Sequence, residues 1–579
     1  MTAPLDPSLE GCLRRRLEHL YGDRAEQCLT KLLAMIEQTA PKLASRRKTA
    51  WDQRDVVLIT YGDQVQSPGA SPLACLREFL VSRRLDALLS TVHVLPFFPY
   101  SSDDGFSVID YRTVDPALGD WSDVGALGGD FDLMFDLVIN HCSRQSRWFD
   151  EYAKGNPTYA SYFIEVDPAA DVSMVTRPRK HPLLSPTDTS RGTRHLWTTF
   201  SDDQIDLNFA EPDVLLEMID ILLFYLRQGA RIIRLDAIAY LWKELGTPCI
   251  HLPETHTVVK LMRDVTDALA PGTILLTETN VPHEENASYF GRGDEAQMVY
   301  QFSLAPLLLE ALLSGNTDLL VDWLTRMEPT PPGTTVLNFT ASHDGIGVRP
   351  LEGLMRPDRF DRLIAMVKER GGRVSMKRNA DGSQSPYELN ITYFDAVAEL
   401  NDAGPDDPDP AIQVRRFLAG QALMLSLQGI PAVYFHSLIG TPNDTAGVER
   451  TGRARSINRR KFELSELTSL VEDHDRPSAA VFEGYCRLLR IRGAQPAFHP
   501  DADQEVIPVD HRSTVGLLRT SIDREQRILV LCNFGREAVS IDVAGLTGRV
   551  PRKDLLGPDD APQAIGRLEP YQVAWLLLG

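Results

Sequence analysis

Eight short apolar runs recur along this chain of 579 residues, and each ends where polar or charged residues begin. They are "VVLITYGD" (56–63), "TVHVLPFF" (91–98), "DLMFDLVINH" (132–141), "ARIIRLDA" (230–237), "GTILLTET" (272–279), "MVYQF" (298–302), "TVLNFTASHD" (335–344) and "GIPAVYFHSL" (429–438). Stretches with helical spacing separate them. Short continuous apolar runs fit strands buried on both faces, and such strands belong to parallel sheets whose crossovers are helices. Eight of them in this alternation predict an α/β fold, a closed (β/α)8 TIM barrel whose chemistry gathers at the C-terminal ends of its strands.

The chain is too long for one core. Leu13, Leu17, Leu20, Leu29, Leu32, Leu33 and Ile36 recur at helical spacing, which predicts a helical N-terminal extension over 1–50 ahead of a barrel spanning 51–500. Two connections exceed ordinary βα loops: 142–205, an inserted subdomain after strand three, and 345–410, a second insertion after strand seven. Within the latter, "NDAGPDDPDP" is acidic and proline-rich and predicts an exposed loop. Beyond residue 500 the pattern becomes short alternating strands, "TVGLLRT", "RILVLCNF", "AVSIDV" and "YQVAWLLL", predicting an antiparallel β domain over 501–579.

A net charge of −20 disfavours nucleic acid and anionic membrane as partners. No apolar run has membrane-spanning length, and the start carries no basic, then apolar, leader pattern. Seven scattered cysteines without a Cys-x-x-Cys pair fit reduced thiols, so a cytoplasmic location is expected. The strand ends hold neither a thiolate–imidazole cluster nor a glycine-rich phosphate cradle, so no metal or organic cofactor is implied.

What the strand ends do hold is polar. Strand three closes on Asn140-His141, strand four on Arg234-Leu-Asp236, strand five on Glu278 and strand seven on His343-Asp344. Side chains at i and i+2 of a strand share a face, so Arg234 and Asp236 project together into the barrel mouth. A guanidinium alongside is expected to hold Asp236 ionised, as a nucleophile must be. Glu278 has no basic neighbour in sequence, so burial would raise its pKa and keep it protonated as a general acid. Two carboxyls driven apart in this way suit acid-assisted glycosidic cleavage, and Asp344 supplies a third carboxylate for an oxocarbenium-like transition state. Taken singly, Arg-x-Asp reads equally as a satisfied ion pair and Asp344 as a helix cap. Four strand ends on one face carrying such groups are hard to ascribe to packing.

In order and approximate spacing, "DLVINH", "RLDA", "TETN" and "TASHDG" resemble the four signature segments of the α-amylase superfamily of retaining glycosidases and transglycosylases. The resemblance implies Asp236 as nucleophile, Glu278 as general acid/base and Asp344 as transition-state stabiliser, with Arg234, His141 and His343 orienting them and the sugar. Members kept as binding modules usually lose one of these carboxylates; here all three are present. "HVLPFFPYSSDDGFSVIDYRTVDPALGDW" resembles the sucrose phosphorylase branch, in which this loop closes the donor subsite around one glucose. That implies Asp103 on the terminal sugar hydroxyls, Phe106 beside the ring and, from "SINRR", Arg459 as the ion-pair partner of Asp103. "TRPRKHPLL" resembles the branch's phosphate loop, with Arg179 as the phosphate ligand, and Tyr240 matches a tyrosine of the acceptor side.

Asn280 stands where the branch usually carries histidine. The helical N-terminus, "LWKELGTPCIHLPETH" and "RGGRVSMKRNADGSQSPYELNITYFDA" resemble the glucosylglycerate phosphorylases of the branch. Their acceptor bears a carboxylate, for which Arg373, Lys377 and Arg378 are candidate cations. The expected activity is therefore reversible phosphorolysis of 2-O-α-glucosylglycerate, a small sugar substrate, with inorganic phosphate. Sucrose, sucrose 6-phosphate and glucosylglycerol phosphorolysis are the alternatives.

Overall fold

The computed structural model describes residues 7–43, 50–379, 383–399, 409–558 and 566–579. All eight runs form strands, and the strands close into one parallel barrel: β1 (Val57–Thr60), β2 (Thr91–Val94), β3 (Asp132–Leu137), β4 (Ala230–Leu235), β5 (Ile274–Thr277), β6 (Met298–Tyr300), β7 (Thr335–Phe339) and β8 (Ile430–Tyr434). Neighbours pair in sequence order, and β8 returns to β1 with Val57 opposite Ala432. The strands are shorter than the runs. Asn140, Asp236, Glu278 and Asp344 lie just past the last ladder residue, where the backbone is free to turn and side chains are free to face the barrel mouth.

The extension before the barrel is two helices, α1 (Pro7–Tyr21) and α2 (Ala25–Thr39). Along α2, Ala25, Cys28, Leu29, Leu32 and Ile36 are buried, the stripe that a 3.6-residue period creates. α1 packs on the helix Pro253–Leu269 and α2 on Pro212–Arg227, the helices that flank β4 in sequence. The pair thus buttresses the strand that ends in Asp236. Tyr21 Oη donates to the Phe209 carbonyl at 3.0 Å, and Lys31 pairs with Asp213 at 2.6 Å.

After β3 the chain builds the helix Arg147–Ala153 and a hairpin of Leu184–Thr189 with Gly192–Trp197. His141–Ser143 then pairs with Gln204–Asp206, which closes the excursion back onto the barrel rim. After β7 comes a three-stranded sheet in which Gln384–Asn390 lies between Ile346–Gly347 and Arg373–Arg378. Most of "NDAGPDDPDP" lies outside the described residues.

At the C-terminal end a five-stranded antiparallel sheet holds Thr514–Thr520, Arg527–Asn533 and Val573–Leu578 at its centre. "AVSIDV" joins a separate two-stranded piece instead, Val539–Ser540 with Arg567–Leu568. The sheet is tied to the barrel by Arg519, whose guanidinium donates to the carbonyls of Ser426, His499 and Ala502 and is fully buried.

Leu17 is fully buried between the extension and the barrel. Leu17→Ala is expected to cost about 2–5 kcal/mol of stability, through lost transfer energy and the cavity left behind. A lowered urea midpoint with unchanged turnover at 25 °C checks this.

Candidate active site

A funnel of about 800 Å³, open mouth included, lies at the C-terminal end of the barrel. Asp236, Glu278 and Asp344 all line it, together with Asp103, Phe106, His141, Arg179, Arg234, Asn280 and His343.

Arg234 organises the floor. Its Nη1 donates to Asp236 Oδ1 at 2.8 Å and also to Asp136, while Nη2 lies 4.0 Å from Glu278 Oε2. Asp136 is fully buried; burial opposes its charge, but His93 and Arg234 hold its pKa down to about 2. The guanidinium is therefore already neutralised from below. Burial pushes the Asp236 carboxyl well above the usual range, Arg234 pulls it back only in part, and the Glu278 charge pushes it up again. Glu278 is raised for the same first reason, burial. The simple expectation, that Arg234 alone keeps Asp236 ionised and leaves Glu278 to hold a proton, needs amending. Both acids are raised, by burial first, and Asp236 is raised further by the charges of Glu278 and Asp136. Direct contact still favours the anion on Asp236, which accepts the charged hydrogen bond that Glu278 lacks.

Ala237, next to Asp236, adopts φ 51°, a left-handed conformation costly for a residue with Cβ. The turn aims its N–H at Glu278 Oε2, 3.0 Å away. Local strain thus fixes the second acid relative to the first.

Asp344 is different. Burial raises it, but Arg455 first, with Arg459 and Arg234 beyond it, more than offsets this and brings its pKa far below the carboxylate range. Arg455 Nη1 is 2.6 Å from Asp344 Oδ1. The backbone around it is gripped by the "SINRR" segment: Asn458 donates to the carbonyls of Ser342 and Asp344, and Arg459 Nε to that of His343 at 2.7 Å. His343 stacks on Phe106 with ring centroids 5.0 Å apart. Burial, with Arg234 and Arg459 nearby, lowers its pKa well below that of free histidine, so it is neutral. His141 is lowered by burial too; its Nε2 is 2.9 Å from the Phe106 carbonyl, and Asn140 Nδ2 lies 3.3 Å from Nδ1.

The expected pair of Asp103 with Arg459 is corrected. Arg459 pairs with Asp104, and Asp103 accepts from Gln204 Nε2 at 3.1 Å. The cause is the backbone: Asp103 and Asp104 have φ 54° and 50°, and Gly105 has φ 112°. A Cβ on Gly105 would sit 2.6 Å from the Pro96 carbonyl, so this turn requires glycine there. Two left-handed residues in a row fan the carboxylates apart, one into the funnel and one back to the arginine.

On the opposite wall, Arg179 lies over the rings of Phe200 and Tyr387, 5.9 and 5.5 Å from their centroids. Tyr240 meets Phe200 edge-on at 5.5 Å and supports the wall instead of lining the funnel. Asn280 packs against Gly347, and its buried Oδ1 has no hydrogen-bond partner among the described residues. Of the loop cations, Arg373 is exposed and Lys377 pairs outward with Glu352 at 2.7 Å; the Arg378 side chain lies outside the described residues. The cation that the second insertion faces is Arg455, four residues before Arg459 in the arginine-dense "RARSINRR", a run that could have suggested it.

The alpha-amylase catalytic domain model matches residues 86–328. A glucosylglycerate phosphorylase of Allomeiothermus silvanus is 44% identical over 99% of this chain and 99% of its own length. The chain belongs to the glucosylglycerate phosphorylase family. A second member, from Spirochaeta thermophila, is 50% identical over 83% of this chain and 81% of its own. Among solved structures, the sucrose 6F-phosphate phosphorylase of Thermoanaerobacter thermosaccharolyticum superposes with a TM-score of 0.71 at 26% identity, covering 83% of this chain and 94% of that one.

In this family member Arg455 also lowers the Glu278 pKa. Arg455→Ala removes a stabiliser of both the Glu278 and Asp344 anions, so each acid keeps its proton to higher pH. The basic limb of kcat/KM is expected to move to higher pH, together with a fall in kcat. A pH–rate profile from 5 to 9 checks the sign.

Proposed function

We propose that the enzyme catalyses reversible phosphorolysis of 2-O-α-glucosylglycerate to α-glucose 1-phosphate and D-glycerate, by double displacement with retention. Protonated Glu278 gives its proton to the glycosidic oxygen as Asp236 attacks the anomeric carbon, so glycerate leaves and a glucosyl ester forms. Phosphate then attacks that carbon, breaks the ester bond and returns a proton to Glu278. Asp344, ionised throughout, steadies the positive charge that develops on the ring. A two-carboxylate site of this kind reaches neutral pH because one proton is held by the raised pair.

The observation that carries this reading is the arrangement of cations. Asp103, Asp236, Glu278, Asp344 and Glu388 line the funnel against Arg179, Arg234 and Arg455. Arg234 is held by Asp136 and Asp236, and Arg455 by Asp344 and Glu388. Among the described residues Arg179 has no ion-pair partner, and two aromatic faces hold it on the wall. In a double displacement, phosphate and the glycerate carboxylate occupy the acceptor side in turn. One free guanidinium serves both anions. Water as acceptor would give it no purpose. The relatives' activity, over nearly the full chain, supports the same acceptor. Seven cysteines, none in a disulfide, fit a reducing cytoplasm.

With α-glucose 1-phosphate as donor, D-glycerate is expected to release phosphate faster than fructose, fructose 6-phosphate or glycerol; release with fructose and none with glycerate would overturn the acceptor. Asp236→Asn should lower turnover about 10³-fold or more. Arg179→Ala should raise KM for phosphate and for glycerate together, by about tenfold or more, with less effect on the glucose side.

A further inference from the structure

We infer that Glu388 is a positioning residue of this reaction: it holds Arg455 so that a single amine reaches Asp344 and one carboxylate oxygen stays open to the sugar. The inference rests on the activity proposed above. Glu388 belongs to the strand Gln384–Asn390 of the second insertion and is 2% exposed. Its Oε1 takes Arg455 Nε at 3.0 Å and its Oε2 takes Nη2 at 3.0 Å, a two-pronged pair that uses one edge of the guanidinium. What remains is Nη1, which meets Asp344 Oδ1 at 2.6 Å. Among the described residues Asp344 Oδ2 faces His343 Nε2 at 3.8 Å, beyond hydrogen-bond distance.

A second contact reinforces the first. Glu388 Oε1 also accepts from the backbone N–H of Gly345, the residue after Asp344. That approach needs a glycine, since a Cβ on Gly345 would lie 2.6 Å from the Leu389 carbonyl and 2.5 Å from Glu388 Cγ. The insertion strand therefore holds Asp344 at two points, through the next peptide group and through an arginine. Without the glutamate, Arg455 would be free to turn its planar fork onto both oxygens of Asp344, the geometry guanidinium and carboxylate prefer. Asp344 would then lose the oxygen that meets the sugar. The neighbouring residue, Tyr387, carries the ring under Arg179, so one short strand positions both the anion-binding cation and the donor-side acid.

The test is a double-mutant cycle of Glu388→Gln and Arg455→Ala in the full-length enzyme, read in both directions of the reaction. Glu388→Gln is expected to lower kcat about ten- to hundredfold for phosphorolysis and synthesis alike, as a small misplacement of a reacting group does. KM for phosphate and for D-glycerate should stay within about twofold, because nothing on the acceptor side is removed. The double variant should be no slower than Arg455→Ala alone, since Glu388 acts through that arginine. Wild-type kcat in Glu388→Gln, a raised KM with kcat intact, or a double deficit equal to the product of the singles would each overturn the inference. If Glu388→Gln does not fold, the same cycle with Glu388→Asp decides. Wild-type turnover in the same assay separates the two readings: its absence sinks the proposed activity, its presence leaves only the role of Glu388 in question.

Discussion

The site depends on one guanidinium shared among acids. Arg234 rises from β4 into the barrel mouth, is met from below by Asp136 and touches Asp236, with Glu278 at the edge of reach. A charge that deep is costly unless it is paired and hydrogen-bonded. Pairing it with Asp136 meets that cost and leaves only part of its field for the reacting acids. The result is a pair of carboxyls both raised by burial, with the direct hydrogen bond choosing which one bears the charge. Without Arg234 both carboxyls would be raised further, since its charge lowers each of them.

The electrostatics of Asp344 run the other way for the same reason. It receives two cations, Arg455 at 2.6 Å and Arg459 at 3.9 Å, where Asp236 and Glu278 share Arg234 with Asp136, although Glu388 and Asp104 each hold one of the pair. Three carboxylates in one funnel thus differ by where their cations are spent. In the proposed cycle Asp344 stays charged, while Asp236 gives up its negative charge to the ester bond as Glu278 gains one by losing its proton.

Much of this was legible in the sequence, because buried parallel strands leave a continuous apolar signature and the residue after each strand is read at once. Asn140, Arg234, Asp236, Glu278 and Asp344 are fixed by that register, and all eight strands follow from it. Residues on excursions are not. Asp103 and Asp104 differ only by a backbone turn, and no composition rule says which one a left-handed pair sends toward Arg459. Arg373 and Lys377 looked like acceptor cations because the loop was basic. The strand they occupy faces solvent and Glu352, while Arg455, nearly eighty residues later in sequence, comes to the funnel through "RARSINRR". Glu388 had no signal at all; a lone glutamate in "SPYELN" gives no hint that Gly345 was left bare to receive it.

Why such a pocket transfers glucose to an anion instead of to water is a matter of local charge. The whole chain carries −20, and the funnel has more carboxyls than guanidinium groups, so an anion meets repulsion almost everywhere. It can settle only where a cation is uncommitted and partly shielded from solvent. Arg179 meets both conditions, half-buried with its guanidinium 5.9 and 5.5 Å from the Phe200 and Tyr387 ring centroids. Because the acids already consume the other arginines, the proposed reading leaves the acceptor side one anchor, which the leaving glycerate would have to vacate before phosphate arrives. That ordering would be the alternation the proposed double displacement requires, so in that reading the distribution of ion pairs and the sequence of chemical steps describe the same constraint.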